Sequence, residues 1–409
     1  MKFSFPFTRH DAAFVAICWF AYSAAYVGRY NFNASILPMM DGLGWAKSEF
    51  GVIAGFFFFA YGIGQLVNGL ASRFYDPKWM MAIGLLGSGV CNILLPLFPT
   101  PAAMRLVWCL NGCFQSILWC CVVKTFARQV SVPATPSAVV VISTTFATGT
   151  FLAYGLVALF AKTGRWALGF LVPGVMLLAA AATWIVVQIR EGQGASAAAD
   201  DAPKAAPDRG SAFRIVFAFI AFACLAGVAD GFLKDGLNVW VPLVLKDCFG
   251  IPSSHAILLV LGMTLLAILS AYANKKVHER VANHGTMLVL DFAGTTVLCG
   301  LLLVALSAKW LWLLVPAAAV AILLLVMVNN VLTSLMILDC RRWLDVGLVA
   351  GVIDTFCYVG TCLAAGGLGF VAEGRGGWNA VFWLFLLAAV AGTLVSLFAR
   401  SFENKLLKL

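Results

Sequence analysis

Apolar runs recur along the chain at a length that few soluble helices reach. Read against their polar breaks, they cover about 12–38, 49–71, 79–98, 102–126, 137–161, 166–189, 212–243, 254–273, 285–306, 310–338, 346–371 and 378–399. A helix crosses the apolar core of a bilayer with about 20 residues, so the pattern predicts twelve membrane-spanning helices. One long polar gap separates the sixth run from the seventh. Residues 190–211 are rich in Ala, Asp, Pro and Gly and have almost no apolar bulk, which predicts a flexible tether. The expected organisation is a six-helix bundle over 1–189, that linker, and a second six-helix bundle over 212–409. The fold class is therefore all-α integral membrane, with two pseudo-symmetric halves.

Composition narrows the classes further. Apolar residues make up 62% of the 409 and charged residues only 11%, against roughly 45–50% and 25% in soluble domains. That balance excludes a soluble enzyme, a nucleic-acid binder and an outer-membrane barrel. The net charge of +9 sits in small basic groups between apolar runs rather than in one patch. With both termini cytoplasmic, seventeen of the 27 basic residues fall on cytoplasmic loops and ends, and seven outside. This bias sets the expected topology in a cytoplasmic (inner) membrane. Ser23-Ala24-Ala25 imitates a signal-peptide cleavage site, but the apolar pattern continues to Pro38 and an uncleaved first span is expected. The twelve cysteines lie mostly within apolar runs without C-x-x-C spacing, and read as free thiols rather than metal ligands. No phosphate loop and no nucleophile–base set appears, so neither an enzyme nor a cofactor is expected.

Three basic residues remain, all inside spans: Arg29, Lys124 and Lys234. A charge near the bilayer centre costs about 3 kcal/mol and normally faces a partner or a water-filled cavity. The two halves echo each other here. Arg29 is followed by Asn33 and Pro38, and Lys234 by Asn238 and Pro242, at nearly the same offsets. Matched intramembrane cations in two repeats suggest halves that rock about a central site. Their cargo would be a small anion, since a guanidinium and an ammonium suit a phosphate or carboxylate. Tyr61 and Trp119 are the aromatic residues expected beside that site. Blander readings stand beside these. Arg29 could be held by an internal ion pair, and Lys124 could snorkel to the interface. Asp230 lies one turn before Lys234, the spacing of a structural ion pair. Asp354 could be a counter-ion, a protonatable coupling group or a neutral hydrogen-bonded acid. Asn329 and Asn330 mirror Lys124 by the repeat offset and suit either polar lining or helix-to-helix hydrogen bonds.

Several of these segments resemble a known family. Gly28-Arg29-Tyr-Asn31-Phe32-Asn33, Ala60-Tyr61-Gly62, Asn111-Gly112-Cys-Phe114-Gln115 through Trp119 and Lys124-Thr125, and Lys234-Asp-Gly236 through Trp240-Val-Pro242 carry the likeness. The chain resembles the major facilitator superfamily, closest to the organophosphate:phosphate antiporters that include the glycerol-3-phosphate and hexose-phosphate carriers. That resemblance implies a monomeric twelve-helix carrier exchanging inorganic phosphate for a phosphorylated metabolite by alternating access. It also implies that Arg29 and Lys234 bind the phosphoryl group. This sequence departs from the family pattern in five places, one of them Arg73, which stands in the loop after span 2 where an acid is usual. Lys234 replaces an arginine, Gln65 stands where the family has a lysine, Phe146 aligns near a histidine, and Asp354 replaces a small residue. The departures leave open a carboxylate or phosphonate cargo and a proton-coupled carrier of a carboxylate or neutral solute. A sugar-phosphate sensor also stays open, since the family has such members. The expected partners are the lipid bilayer and a small organophosphate, phosphate or carboxylate, without nucleic acid.

Overall fold

The computed structural model describes residues 7–71, 75–131, 134–191, 211–266, 269–278, 280–281, 283–336 and 346–406. The tether lies almost wholly at 192–210, and the basic residues Arg73, Arg341 and Arg342 also fall outside the described residues. Each predicted span is helical over its described residues to within a few residues of its expected ends, eight of them as one helix and the spans at 79–98, 102–126, 254–273 and 310–338 as two consecutive helical segments. The helices are α1 (Arg9–Leu43), α2 (Lys47–Ala71), α3 (Pro77–Leu94), α4 (Pro101–Ser116), α5 (Leu118–Gln129), α6 (Thr135–Ala161) and α7 (Leu168–Glu191). The second half holds α8 (Ser211–Phe249), α9 (Ser253–Leu266), α10 (Ser270–His278), α11 (His284–Ser307), α12 (Leu311–Asn330), α13 (Val346–Glu373) and α14 (Gly377–Leu406). Among the described residues eleven helices are long and apolar enough to cross a membrane, and Ser253–Leu266 is a shorter apolar one.

Local chemistry explains the ends. Thr8 and Asp11 form a reciprocal capping box at the start of α1, and Gly44 closes it in the left-handed region at φ 69°. Asp76-Pro77 and Thr100-Pro101 open α3 and α4 with a side-chain acceptor and a proline at the first helical position. The apolar pattern does not show the breaks inside spans. Span 4 divides after Ser116, whose hydroxyl donates to the Cys113 carbonyl at 2.7 Å and accepts from Asn68 at 2.9 Å. Span 10 continues past α12 as a π-helical turn over Val331–Leu335.

Helix packing repeats between the halves. In the first half α1 packs on α6 and α7, α2 on α4, and α3 on α7 and α4. In the second half α8 packs on α13 and α14, α9 on α12, and α11 on α14 and α12. These are the same pairs six spans later. Across the halves α2 lies along α13 and α6 along α9, and these two contacts are also related by the repeat. Lipid gives little hydrophobic drive for helices to associate, so small residues that admit close approach set such seams. A Cβ on Gly55 would lie 3.2 Å from the Gly366 Cα, and one on Gly62 would lie 2.9 Å from the Tyr358 Cβ.

Bonds between the halves are distributed unevenly along the membrane normal. Among the described residues they run from Thr355, whose hydroxyl donates to the Gly62 carbonyl at 3.2 Å, toward the end away from the termini. There the Ser48 amide donates to Glu373 at 2.9 Å, and Ser253 donates to Asp41 at 2.8 Å. Lys246 pairs with Asp41, and Lys47 pairs with Asp247 while lying 5.0 Å from the Trp378 ring centroid. Exposed pairs of this kind contribute up to about 1 kcal/mol each. Combining Asp41→Asn with Lys47→Gln should therefore loosen this end. Maleimide labelling of the half-buried Cys248 beside it should rise several-fold, to about thirtyfold at most. An unchanged labelling rate would show that these pairs do not hold the end shut.

Candidate functional site

Arg29 sits mid-way along α1, 3% exposed, inside a cradle of neutral polar groups. Its Nε donates to Gln115 Oε1 at 2.9 Å. Gln115 Nε2 donates to Ser88 Oγ at 2.9 Å, Ser88 donates to Asn111 Oδ1 at 2.6 Å, and Asn111 Nδ2 donates to the Gly28 carbonyl at 3.2 Å. Asn92 Nδ2 donates to the same carbonyl at 3.1 Å, and Asn31 Nδ2 donates to Asn92 Oδ1 at 2.8 Å. The relay thus returns to the residue before Arg29 and ties α1 to α3 and α4. On its other side the guanidinium carbon lies 4.2 Å from the Tyr61 ring centroid and 5.0 Å from that of Tyr26. Among the described residues no carboxylate pairs with Arg29 within 4.0 Å, and its buried Nη2 has no hydrogen-bond partner. A desolvated cation held by neutral groups, with a donor left over, is poised to accept an anion.

Lys234 faces this region from α8. The structural Asp230–Lys234 ion pair, the blander of the two readings of this spacing, does not form within 4.0 Å. Asp230 Oδ2 instead accepts from Asn329 Nδ2 on α12 at 2.9 Å, so Asn329 serves as a helix-to-helix bond. Asp235 Oδ2 accepts from Thr361 Oγ1 on α13 at 2.7 Å. The carboxylates acting most on the Lys234 ammonium are those of Asp235 and Asp230. Asn238 Nδ2 turns back to the Lys234 carbonyl at 2.9 Å, and its own carbonyl accepts from Tyr154 on α6 at 3.3 Å.

Asp354 on α13 lies within electrostatic reach of both Lys234 and Arg29. It makes neither a hydrogen bond nor an ion pair with the described residues. One turn further along α13, the Tyr358 ring packs 4.5 Å from Tyr61. The structure therefore gathers Arg29, Tyr61, Lys234, Asp230 and Asp354 into one cluster between the halves. Asn33, one turn beyond Arg29, is 4% exposed and leaves its Nδ2 unpartnered. Lys124 lies nearer the end that carries the termini, its ammonium 5.7 Å from the Tyr75 ring centroid. Trp119 is 39% exposed and packs on Tyr22 at 5.4 Å.

Three further residues belong to the cluster. Tyr26 precedes Arg29 by three positions and Tyr358 follows Asp354 by four, which are one-turn spacings that put each on the face of its charged neighbour. Gln115 stands in the motif that carries the family resemblance, but no local spacing links it to Arg29. The departures from the family pattern fall here as well. Gln65 Nε2 donates to the Tyr61 hydroxyl at 2.8 Å, and Phe146 packs 5.5 Å from Tyr26 and 5.7 Å from Tyr30.

Gln115 acts as a positioning residue, because it supplies the acceptor that orients the arginine fork. Gln115→Leu should weaken binding of inorganic phosphate by about tenfold, the value of one hydrogen bond to a charged group. Gln115→Glu should weaken it at least as much, since its carboxylate would neutralise Arg29. Isothermal titration of phosphate into purified protein measures both. Undiminished affinity in both variants removes the role.

A sequence profile described as Major Facilitator Superfamily matches residues 18–365. The chain belongs to that superfamily. Among solved structures of superfamily architecture, a bacterial homologue of the human lysosomal transporter Spinster, inward-facing and unoccupied, aligns with a TM-score of 0.74. It covers 98% of both chains at 12% identity. The D-xylose–proton symporter aligns at 0.73 over 95% of this chain and 97% of that one, at 11% identity. At such identities the likeness concerns the fold alone. Sequence relatives match shorter stretches of this superfamily protein. The membrane sensor protein UhpC of Escherichia coli K12 is 31% identical over 97 residues, 24% of this chain and 22% of that protein. The probable hexose phosphate transport protein of Chlamydia pneumoniae is 34% identical over 94 residues, 23% and 21% of the two chains. The glycerol-3-phosphate transporter of Haemophilus influenzae is 30% identical over 125 residues, 28% and 26%. The matched stretches thus span about a quarter or less of each relative.

Proposed function

We propose that this multi-pass membrane protein is a secondary carrier exchanging a phosphorylated metabolite for inorganic phosphate by alternating access. The observation that carries this reading is the buried Arg29, whose Nη2 is unpartnered and which forms no ion pair with a carboxylate among the described residues. Lys234 supplies the second cation from the opposite half, so a bound phosphoryl group bridges the two six-helix bundles. Two like charges in low dielectric repel, and an anion between them relieves that repulsion. Binding therefore favours closure of the halves over the cargo, and an empty site disfavours it. That coupling makes exchange faster than net leak. The ties at Asp41, Lys47 and Ser48 close the end away from the termini, and the end bearing both termini is the cytoplasmic face of the inner membrane. Tyr61, Asn33 and Asn238 line the path, Lys124 and Trp119 stand toward its cytoplasmic mouth, and the carrier works as a monomer joined by the 190–211 tether.

Purified protein in liposomes loaded with phosphate tests the reading. Labelled phosphate should exit only when phosphate or an organophosphate such as glycerol-3-phosphate is supplied outside. Uptake that needs a proton gradient and no counter-substrate overturns exchange. It would favour the proton-coupled reading, for which the unpaired Asp354 is the specific support. Saturable binding of a sugar phosphate without measurable flux would instead favour a sensor, the function named for the UhpC relatives.

A further inference from the structure

The central cluster contains more acid than an anion-only site requires. Arg29 and Lys234 bring two cationic side chains, while Asp230, Asp235 and Asp354 bring three carboxyl groups. Two of these acids have jobs within the helix packing, where Asp230 receives Asn329 and Asp235 receives Thr361. Asp354 has none. A counter-ion built to neutralise Arg29 or Lys234 would lie within 4.0 Å of one of them, and Asp354 pairs with neither.

The setting of Asp354 is specific. Thr355 and Tyr358 anchor its turn of α13 to α2, through the Gly62 carbonyl and the Tyr61 ring. Cys357 anchors the same turn to α8, lying 3.0 Å from where a Cβ on Gly227 would stand. That turn, and Asp354 with it, is therefore fixed against α2 and against α8, the helix of Lys234, next to the Tyr61 and Tyr358 rings. A fixed carboxylate beside electron-rich rings is the arrangement that takes an ammonium group. The same carboxylate repels a second negative charge and gives a neutral polyol little in return.

We infer that the cargo is a small zwitterion, with a phosphoryl or phosphonyl group for Arg29 and Lys234 and an amine for Asp354 and Tyr358. The inference rests on the carrier reading above and names the substrate class of that same site. It accounts for the unused carboxylate, and Asp354 becomes the specificity-determining residue.

Two probes that differ only at the amine test it, 2-aminoethylphosphonate and propylphosphonate, titrated into the purified full chain alongside inorganic phosphate. The amine-bearing probe should bind about tenfold or more tightly than the methyl one. Asp354→Asn should bring the ratio close to one and should bind propylphosphonate at least as tightly as the unmodified protein, because a repelling charge is gone. Equal affinity for the two probes in the unmodified protein overturns the inference, as does a preference that survives Asp354→Asn. If phosphate and both probes bind in an Arg29-dependent way without preference for the amine, the zwitterion falls and the carrier reading stands. If none of the three binds, both fall.

Discussion

Arg29→Ala is expected to abolish phosphate exchange, by at least about a hundredfold, in a protein that still inserts and folds. Each hydrogen bond to a charged group contributes about 1.5–3 kcal/mol, and an arginine fork gives a phosphoryl oxygen pair two of them. Losing both corresponds to about a hundred- to ten-thousandfold. The fold should survive for a reason particular to this site. The groups in direct contact with Arg29 among the described residues are neutral, so truncation breaks no ion pair, and Asp354 keeps Lys234 as a cation within its electrostatic reach. Removing an unpaired cation from the membrane interior also relieves a cost. The melting temperature of the variant should thus equal or exceed that of the unmodified protein, while stabilisation by added phosphate disappears. Arg29→Lys should fall between them, since it keeps the charge but loses the fork and the Gln115 contact. Counterflow in liposomes and a thermal melt with and without phosphate report the two halves of this prediction. Normal exchange by Arg29→Ala removes the site.

Gly360→Ala should be among the most damaging single methyls at the described residues. A Cβ there would overlap the Val228 carbonyl oxygen and lie 2.8 Å from the Phe232 amide nitrogen, both backbone atoms of α8. Across the same seam a Cβ on Gly231 would overlap the Cys357 carbonyl oxygen. Flexible side chains can step aside, but two long helices in backbone contact cannot separate locally. Overpacking costs typically 1–3 kcal/mol, and a clash with backbone belongs at or above the top of that range. The seam joins the helix of Lys234 to the helix of Asp354, so site geometry should be lost along with stability. Gly367→Ala on the same helix is the control, because nothing lies within 4 Å of its added Cβ. It should be silent or slightly stabilising, as alanine is the better helix former by up to about 1 kcal/mol. Monodisperse yield and melting temperature separate the two variants. Equal behaviour would show that α8 and α13 do not pack as closely as described.

The sequence by itself determined what depends on neighbours along the chain. The apolar lengths specified the spans. The capping residues Thr8, Asp76 and Thr100 specified where helices begin, since a cap acts within one turn. The offsets Arg29–Asn33 and Lys234–Asn238 revealed the repeat, and helix packing repeats in the same order. Partners were another matter. Asp230 has Lys234 four residues away at the spacing of an ion pair, yet it binds Asn329, 99 residues distant. Arg29 takes Gln115, 86 residues distant. Within Phe56-Phe57-Phe58-Phe59 the outer two are exposed and the inner two buried, a distinction absent from four identical letters. In each case the rotation of one helix against the next decides which side chain meets which. That rotation is set by glycine seams and buried polar relays contributed by remote segments. Local pattern therefore fixes how far a helix runs, and only the packed bundle fixes what each of its faces touches.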